Sequence, residues 1–547
     1  MPLLLANRSQ GIKRSARFLT NGRAIAVFAV CSAGISPGIG QADVQDKCLH
    51  LRKLTLRSAV ALSSTSVAAG SFKAPDGQAE PELGDFCRFV GSARPSSDSD
   101  IRFEVWMPLK GWNGRLWGIG GRNFAGQISY AELGSRLSEG YAAVASDSGH
   151  PSDTTMNSAW AIGHPEKLVD YGYRATHEVT VAAKRVVAEF YGRAPERKYF
   201  SGCSNGGREA LTEAQRFPDD YDGIIAGAPA FEFVRSITGW AFIQFVWLAD
   251  ETHMIPHGTL EPIASAIIRK CGGPEEVRDG YLVDPQPCVV SKSDLVCDGA
   301  DSHCLTPKQF ETLEMLHEGP RMGSSKPLVR GYAMGSESAW DGMHFDANQA
   351  DTGDFQFANG LFRDFVHGDP AWDFHNFDPV RDGRLAQEKL GPIINATNPD
   401  LRRFIAHGGK LILYHGWSDG IFPASSTIDY YKSVVKSVGH AAAQGSVRLF
   451  MVPGMEHCRG GPGPNYFGQP LTKGRADPER SIGTLLRRWV EGGVSPDQVI
   501  ALKRSDDDDP NSKVVRTRPL CAWPETARYL GVGNVDNESS FECVPQP

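Results

Sequence analysis

Five residues, Gly202-Cys203-Ser204-Asn205-Gly206, constrain the fold of this chain more than any other feature. They follow an expected strand, Arg197 to Gly202, and precede an expected helix, Arg208 to Phe217. A Gly-x-Ser-x-Gly run in that setting reads as a nucleophile elbow. The chain turns so sharply between strand and helix that the serine takes a strained backbone conformation, and the glycines leave room where a Cβ would collide. The helix behind the serine also points the positive end of its dipole at developing negative charge. By itself the string is weak evidence, since the chain contains 59 glycines. The strand before it and the helix after it carry the reading.

The same rhythm extends on both sides. Phe103 to Pro108, Arg115 to Ile119, Tyr141 to Ser146 and Tyr221 to Ala226 read as strands, and the apolar periodicity from Leu168 to Tyr191 reads as a helix. Strand and helix alternate as in a parallel α/β sheet. After about Phe233 a stretch rich in Cys, Gly, Pro, Asp and aromatics interrupts the pattern until about Pro392, which predicts an inserted subdomain. The sheet resumes at Lys410 to Tyr414 and Val447 to Val452, followed by a helix over Pro478 to Glu491. The four acids Asp506 to Asp509 read as a solvated loop rather than a metal site.

A serine hydroxyl is a weak nucleophile, so a base and an orienting acid should follow it in the order Ser, Asp, His typical of the α/β-hydrolase fold. Asp419 lies just beyond the buried run Leu411 to Tyr414, and His457 just beyond Leu449 to Val452. Loops at strand ends are where catalytic groups of such sheets gather. The oxyanion of the reaction would be held by the backbone N–H of Asn205 and by that of Gly120 or Gly121 in the Gly-rich turn after the strand Arg115 to Ile119. Cys203 directly precedes the serine and Cys458 directly follows the histidine. If Ser204 and His457 touch, these neighbours come within the roughly 4.4 to 6.8 Å between Cα atoms that a disulfide requires.

Residues 1–42 read as a signal peptide: Arg8, Lys13, Arg14, Arg17 and Arg23 precede an apolar run from Ala24 to Ile35, and small residues end at Ala42. That run is shorter than the roughly 20 residues needed to span a bilayer, so no membrane association is expected once it is removed. Losing Cys31 with the signal leaves ten of the 11 cysteines, an even set that an oxidising compartment, periplasmic or extracellular, would turn into disulfides. Cys271 with Cys288, Cys297 with Cys304 and Cys521 with Cys543 are neighbours in sequence. A formal net charge of -7 offers no basic surplus for nucleic acid. The oligomeric state is not legible.

Three segments, Gly-Cys-Ser-Asn-Gly-Gly-Arg at 202–208, His-Gly-Trp-Ser-Asp-Gly at 415–420 and Gly-Met-Glu-His-Cys at 454–458, resemble in order the active-site motifs of the tannase and feruloyl esterase family, which includes the bacterial mono(2-hydroxyethyl) terephthalate hydrolase. The resemblance covers essentially the whole mature chain. It implies an α/β-hydrolase core, residues 43–235 and 391–547, with a large inserted lid domain over 236–390. It implies disulfides Cys48–Cys87, Cys203–Cys458, Cys271–Cys288, Cys297–Cys304 and Cys521–Cys543. It implies no organic cofactor but a structural calcium ion in the lid, held by carboxylates of Glu275 and Asp279 and carbonyls of Val277 and Tyr281. The chain departs from the family there, with Gly272 where an Asp is expected, which removes a hard oxygen ligand. For substrate contacts it points to His415, Phe422, Trp340, Phe357, Phe362 and Arg363, since an aromatic acid needs an apolar slot and a cation. Lid aromatics also serve as a core of their own.

The expected activity is that of a secreted or periplasmic serine esterase acting on small-molecule esters of aromatic carboxylic acids, with Ser204, His457 and Asp419 as its triad. Feruloyl and other hydroxycinnamoyl esters come first, with gallate esters and terephthalate monoesters as alternatives. A hydrolase-like binding protein, a peptidase and an aliphatic lipase are the rival classes.

Overall fold

The runs Ile224-Ile225-Ala226 and Leu411-Ile412-Leu413-Tyr414 are buried on both faces, as strands in the middle of a parallel sheet must be. The computed structural model describes residues 41–75, 83–297, 304–321, 326–472 and 479–546. Residues Ala42–Pro547 cluster as one unit. The expected signal segment lies outside the described residues except for its last two positions.

Among the described residues nine strands build the central sheet: β1 (Ala59–Val67), β2 (Phe86–Ala93), β3 (Ile101–Pro108), β4 (Arg115–Ile119), β5 (Ala142–Ser146), β6 (Arg197–Cys203), β7 (Gly223–Gly227), β8 (Lys410–Gly416) and β9 (Val447–Val452). Their order is β1-β2-β3-β5-β4-β6-β7-β8-β9. The β1, β2, β3 and β5 pairings are antiparallel, and from β5 to β9 every pairing is parallel. The expected helices pack on it as Ala175–Tyr191, Asn205–Arg216 and Ile482–Gly492. The last is capped by Ser481, whose Oγ accepts the Thr484 N–H at 3.1 Å.

The sheet is mixed rather than purely parallel because β3, one of the expected strands, pairs antiparallel with β5, and β1 and β2 extend that antiparallel edge. β1 is an edge strand that buries only Ser64, and its apolar run Ala59-Val60-Ala61-Leu62 leaves Val60 and Leu62 exposed. Beyond the last helix, β10 (Gln498–Arg504) pairs with β11 (Val514–Cys521), and β12 (Glu525–Tyr529) with β13 (Phe541–Pro545). Asp506 to Asp509 form the exposed turn between β10 and β11, where Asp507 accepts from Lys503 at 2.6 Å and Asn465 at 2.8 Å.

The connection from β7 to β8 is helical, with Phe233–Ala249, Leu260–Cys271, Pro307–Glu318 and Pro379–Ile394 as its longest helices. The span 236–390 lies inside it. Its core includes Trp240, Trp247, Trp340, Phe362 and Phe365, and runs without a break into Phe124 and Tyr171 before it and Phe422 after it. The Tyr332 hydroxyl donates to the Ile421 carbonyl at 3.1 Å, tying this connection to the loop that follows β8. Five disulfides join Cys48–Cys87, Cys203–Cys458, Cys271–Cys288, Cys297–Cys304 and Cys521–Cys543, with Cα atoms 5.5 to 5.9 Å apart.

One buried acid makes stability depend on pH. The Asp147 carboxyl, 2% exposed, is pushed up to about 7 by burial, against the opposing bonds from the Gly149 and Arg102 amides. The folded state therefore keeps a proton that the unfolded chain has lost between about pH 4 and pH 7, and stability falls as pH rises through that window by about 4 kcal/mol at most. Asp147→Asn is expected to raise the thermal midpoint at pH 8 and to narrow its difference from pH 5. Identical midpoint shifts in variant and wild type would refute the assignment.

Candidate active site

Ser204 follows β6 with φ 62° and ψ −124°, a positive-φ conformation that residues with a side chain rarely adopt. Its amide donates to the Gly227 carbonyl at 3.0 Å, and its carbonyl accepts the Arg208 and Ala230 amides at 3.0 and 3.1 Å. A Cβ on Gly120 would lie 2.6 Å from the Gly206 Cα, so the elbow helix and the turn after β4 approach as only two glycines allow. The amides of Asn205, Gly206 and Gly207 open that helix and have no acceptor within it.

Asp419 and His457 sit on the loops after β8 and β9, which brace each other. The Trp417 amide donates to the Val452 carbonyl at 2.9 Å and the Ser418 amide to the Met455 carbonyl at 3.0 Å. A Cβ on Gly416 would lie 2.1 Å from the Met455 carbonyl oxygen. Asp419 is buried and its Oδ2 lies 2.7 Å from His457 Nδ1. Its Oδ1 accepts the Ile421 and Phe422 amides at 2.8 and 2.9 Å. Burial would raise this carboxyl, but His457 and His415 outweigh it and hold the group well below the ordinary carboxylate range. His457 Nε2 is buried and has no hydrogen-bond partner among the described residues. Cys458, at φ 67°, ties this histidine loop to the residue before Ser204 through a disulfide with Cα atoms 5.9 Å apart. The arrangement leaves one imidazole nitrogen without a partner among the described residues while a carboxylate holds the other, which suits a proton acceptor.

Of the expected oxyanion donors, the Asn205 amide opens the elbow helix with no acceptor in it, whereas those of Gly120 and Gly121 are already bonded. The Gly120 amide donates to the Ser201 carbonyl at 3.0 Å, and the Gly121 amide to Glu209 Oε2 at 2.8 Å. Both are committed because the turn closes onto β6 and onto the elbow helix. Glu209 also accepts from Ser148 Oγ and Asn205 Nδ2, and Asn205 Oδ1 accepts from Tyr171 Oη and Arg208 Nε. Arg208, fully buried, donates further to the Tyr171, Gly172 and Ile394 carbonyls. The sequence analysis missed this network, and a charged Arg-Glu pair inside the elbow helix was its visible signal.

The substrate expectations divide. His415 is 1% exposed and lies behind Asp419, out of reach of a substrate. Trp340 and Phe362 have no exposed surface and belong to the core of the helical connection. Arg363 is held by Asp364 in a two-bond fork at 2.7 and 2.9 Å, so its charge is neutralised by its own neighbour. Phe422 stands beside His457, and Phe357 is linked to it, among the described residues, only through Trp240. The Phe422 ring is 5.5 Å from His457, Trp240 lies 5.3 Å from Phe422 and 5.4 Å from Phe357, and Phe124 lies 5.1 Å from Phe357. Trp240 and Phe124, 2% and 0% exposed, join Phe422 and Phe357 in one buried aromatic cluster, part of the same core as Trp340 and Phe362.

The residues at 275–281 do not fit a calcium ion. Pro274–Asp279 is a short helix, and the Asp279 carboxylate lies 2.6 Å from Arg278 Nε, 2.7 Å from Arg516 and 3.6 Å from Arg518. Three guanidinium groups repel a divalent cation and already supply the charge it would bring. Val277 lies in that helix, Tyr281 is buried, and Glu276, beside Glu275, is taken up by the Gly273 and Val283 amides. No group of three or more His, Cys, Asp or Glu side chains among the described residues is arranged to hold a metal. Chelation by EDTA is accordingly expected to leave the thermal midpoint unchanged. A drop that added calcium reverses would show that an ion is held.

A cavity of about 530 Å³ opens beside His457, lined by Asp341, Gly420, Glu456, Arg459, Asn465 and Asp507 among others. Burial raises the Glu456 carboxyl, with Lys503 opposing.

Comparison with known proteins places this geometry. The profile of the family described as tannase and feruloyl esterase matches residues 87–544. An uncharacterized esterase of Xanthomonas campestris pv. campestris is 37% identical, with 94% of each chain covered. The mono(2-hydroxyethyl) terephthalate hydrolase of Piscinibacter sakaiensis is 32% identical over 89% of each chain. The crystal structure of feruloyl esterase B from Aspergillus oryzae superposes with a TM-score of 0.82 at 28% identity, covering 92% of this chain and 100% of that one. An α/β-hydrolase core carrying an elbow serine, with an acid and a histidine on the loops after β8 and β9, thus comes with relatives that share it along nearly the whole chain, and the protein belongs to the tannase and feruloyl esterase family of carboxylic ester hydrolases.

Proposed function

We propose that this protein is an exported serine esterase that cleaves esters of uncharged aromatic carboxylic acids, hydroxycinnamoyl esters first, through Ser204, His457 and Asp419. The observation that carries the reading is the His457 loop, clamped to Asp419 on one side and to Cys203 on the other. Ser204 Oγ attacks the ester carbonyl as His457 Nε2 takes its proton, and the tetrahedral oxyanion is met by the Asn205 N–H. His457 then gives the proton to the leaving alcohol. Water, activated by the same nitrogen, attacks the acyl-enzyme and restores the serine. Asp419 orients the imidazole and balances its charge in both halves. The reaction needs no organic cofactor.

The Phe422 ring beside His457, with Trp240 and Phe357 packed behind it, suits a planar acyl group. Arg363, neutralised by Asp364, favours hydroxycinnamoyl and galloyl rings over a terephthaloyl ring, whose free carboxylate wants a cation. The polar cavity on the His457 side suits an alcohol rich in hydroxyls, which Glu456 and Asn465 can bond. The connection between β7 and β8, residues 236–390 included, acts as a lid over the cleft. Five disulfides support export, and no helix among the described residues is long and apolar enough to cross a membrane.

Hydrolysis of methyl ferulate, methyl gallate and mono(2-hydroxyethyl) terephthalate by the purified, disulfide-intact protein tests this. The expected order of kcat/KM puts ferulate first and the terephthalate last. A terephthalate preference would overturn the reading of Arg363, and failure on all three would overturn the aromatic acyl assignment.

A further inference from the structure

Asp419 Oδ2, the oxygen that faces His457, has a second imidazole on it. His415 Nε2 lies 3.0 Å from Oδ2 and 3.1 Å from the Phe422 carbonyl oxygen. Both are acceptors, so Nε2 carries the hydrogen. On the far side of the ring, Nδ1 is 2.7 Å from the Thr427 hydroxyl. Thr427 is fully buried and Nδ1 is the acceptor available to its proton among the described hydrogen bonds. The hydroxyl therefore donates, Nδ1 accepts, and the ring is neutral with its hydrogen on Nε2. Counting all contacts, the carboxylate accepts four hydrogen bonds: Ile421 and Phe422 amides on Oδ1, His457 and His415 on Oδ2. That fills the lone-pair positions a carboxylate has.

We propose that His415 is a positioning residue for the triad acid, a neutral Nε2–H donor that fixes the Asp419 carboxylate toward His457 and limits how strongly it draws the His457 proton. The inference rests on the triad reading above. Its physical logic is that a carboxylate oxygen shared between two donors is less basic toward each, so the imidazolium formed during catalysis is released more readily to the leaving alcohol. Thr427, on the first turn of the helix Ala424–Val438, sets the tautomer and so keeps the donor pointing at the acid.

Two amide variants separate the nitrogens. In His415→Asn the amide takes the place of Nδ1 and the bond to Asp419 is lost; in His415→Gln the amide nitrogen reaches the place of Nε2. For His415→Asn, kcat should fall by about tenfold to a hundredfold with little change in KM, and the acid limb of kcat/KM should move to higher pH, because the less satisfied carboxylate holds the His457 proton more firmly. His415→Gln should restore both. The other charged and titratable groups around His457 and Asp419 are Glu456, Arg459, Asp341, Asp507, Asp508 and Tyr332, all unchanged in these variants. A merely structural histidine would lower stability without moving the acid limb. In the wild-type protein, ¹⁵N-histidine spectra should show one ring with its hydrogen on Nε2 and Nδ1 unprotonated. This measurement stands even if His415→Asn fails to fold. A folded His415→Asn with wild-type kcat and acid limb, or a wild-type His415 ring that carries its hydrogen on Nδ1, overturns the proposal. Activity surviving in Asp419→Asn would instead overturn the triad on which it rests.

Discussion

Ser204→Ala is expected to lower kcat by about 10⁵- to 10⁶-fold, on the order of 7 to 8 kcal/mol of transition-state stabilisation, while leaving KM and the thermal midpoint nearly unchanged. The loss is large because the hydroxyl oxygen is the atom that forms the acyl bond, and no neighbour can replace it. Cys203, one residue earlier, is closed in a disulfide. The fold should survive, since the Ser204 backbone is held by its bonds to Gly227, Arg208 and Ala230 rather than by its side chain. What remains should be the rate supplied by the Asn205 N–H acting on a water attack. A variant that still turns over at more than a few per cent of wild type would place the nucleophile elsewhere.

Removing the Cys203–Cys458 bridge, as Cys203→Ser with Cys458→Ser, is expected to damage stability and catalysis together. The bridge spans 255 positions, and loop-closure entropy for so long a segment contributes up to about 5 kcal/mol. Its catalytic effect is separate. Cys458 follows His457 directly at φ 67°, so without the bridge the histidine loop is free to drift from the elbow, and a displacement of about 1 Å costs roughly a hundredfold in rate. The control is the loss of Cys521–Cys543, which joins β11 to β13 across 22 positions. That variant should lose stability but keep kcat. Equal kcat in all three proteins, measured below their thermal midpoints, would reduce the first bridge to a structural staple.

The parts of this fold legible in its sequence are those set by short-range physics. Leu411 to Tyr414 and Val447 to Val452 read as buried strands because a parallel strand is apolar on both faces, and both appear in the sheet with those residues. β1 was hidden because its apolar run Ala59 to Leu62 is short and gives way at once to Ser63-Ser64-Thr65-Ser66, which looks like a loop. The elbow, the acid and the histidine were visible because each is a strand followed by a short turn, and their order along the chain follows from the order of the strands.

The remaining features depend on residues far apart in the chain. Gly121 looked like an oxyanion donor, yet its amide is taken by Glu209, 88 residues later. Asp279 looked like a calcium ligand, yet Arg516, 237 residues later, already neutralises it. His415 looked like a substrate contact at a strand end, until the following loop folded back and set Asp419 on its Nε2. The sequence alone thus determined the placement of an elbow serine, a strand-end acid and a strand-end histidine, because these are local structures. Only the tertiary structure decided which amides keep no acceptor, which aromatics are buried together and which histidines bond the acid, because a hydrogen-bonding group can be spent once and its partner is chosen by packing.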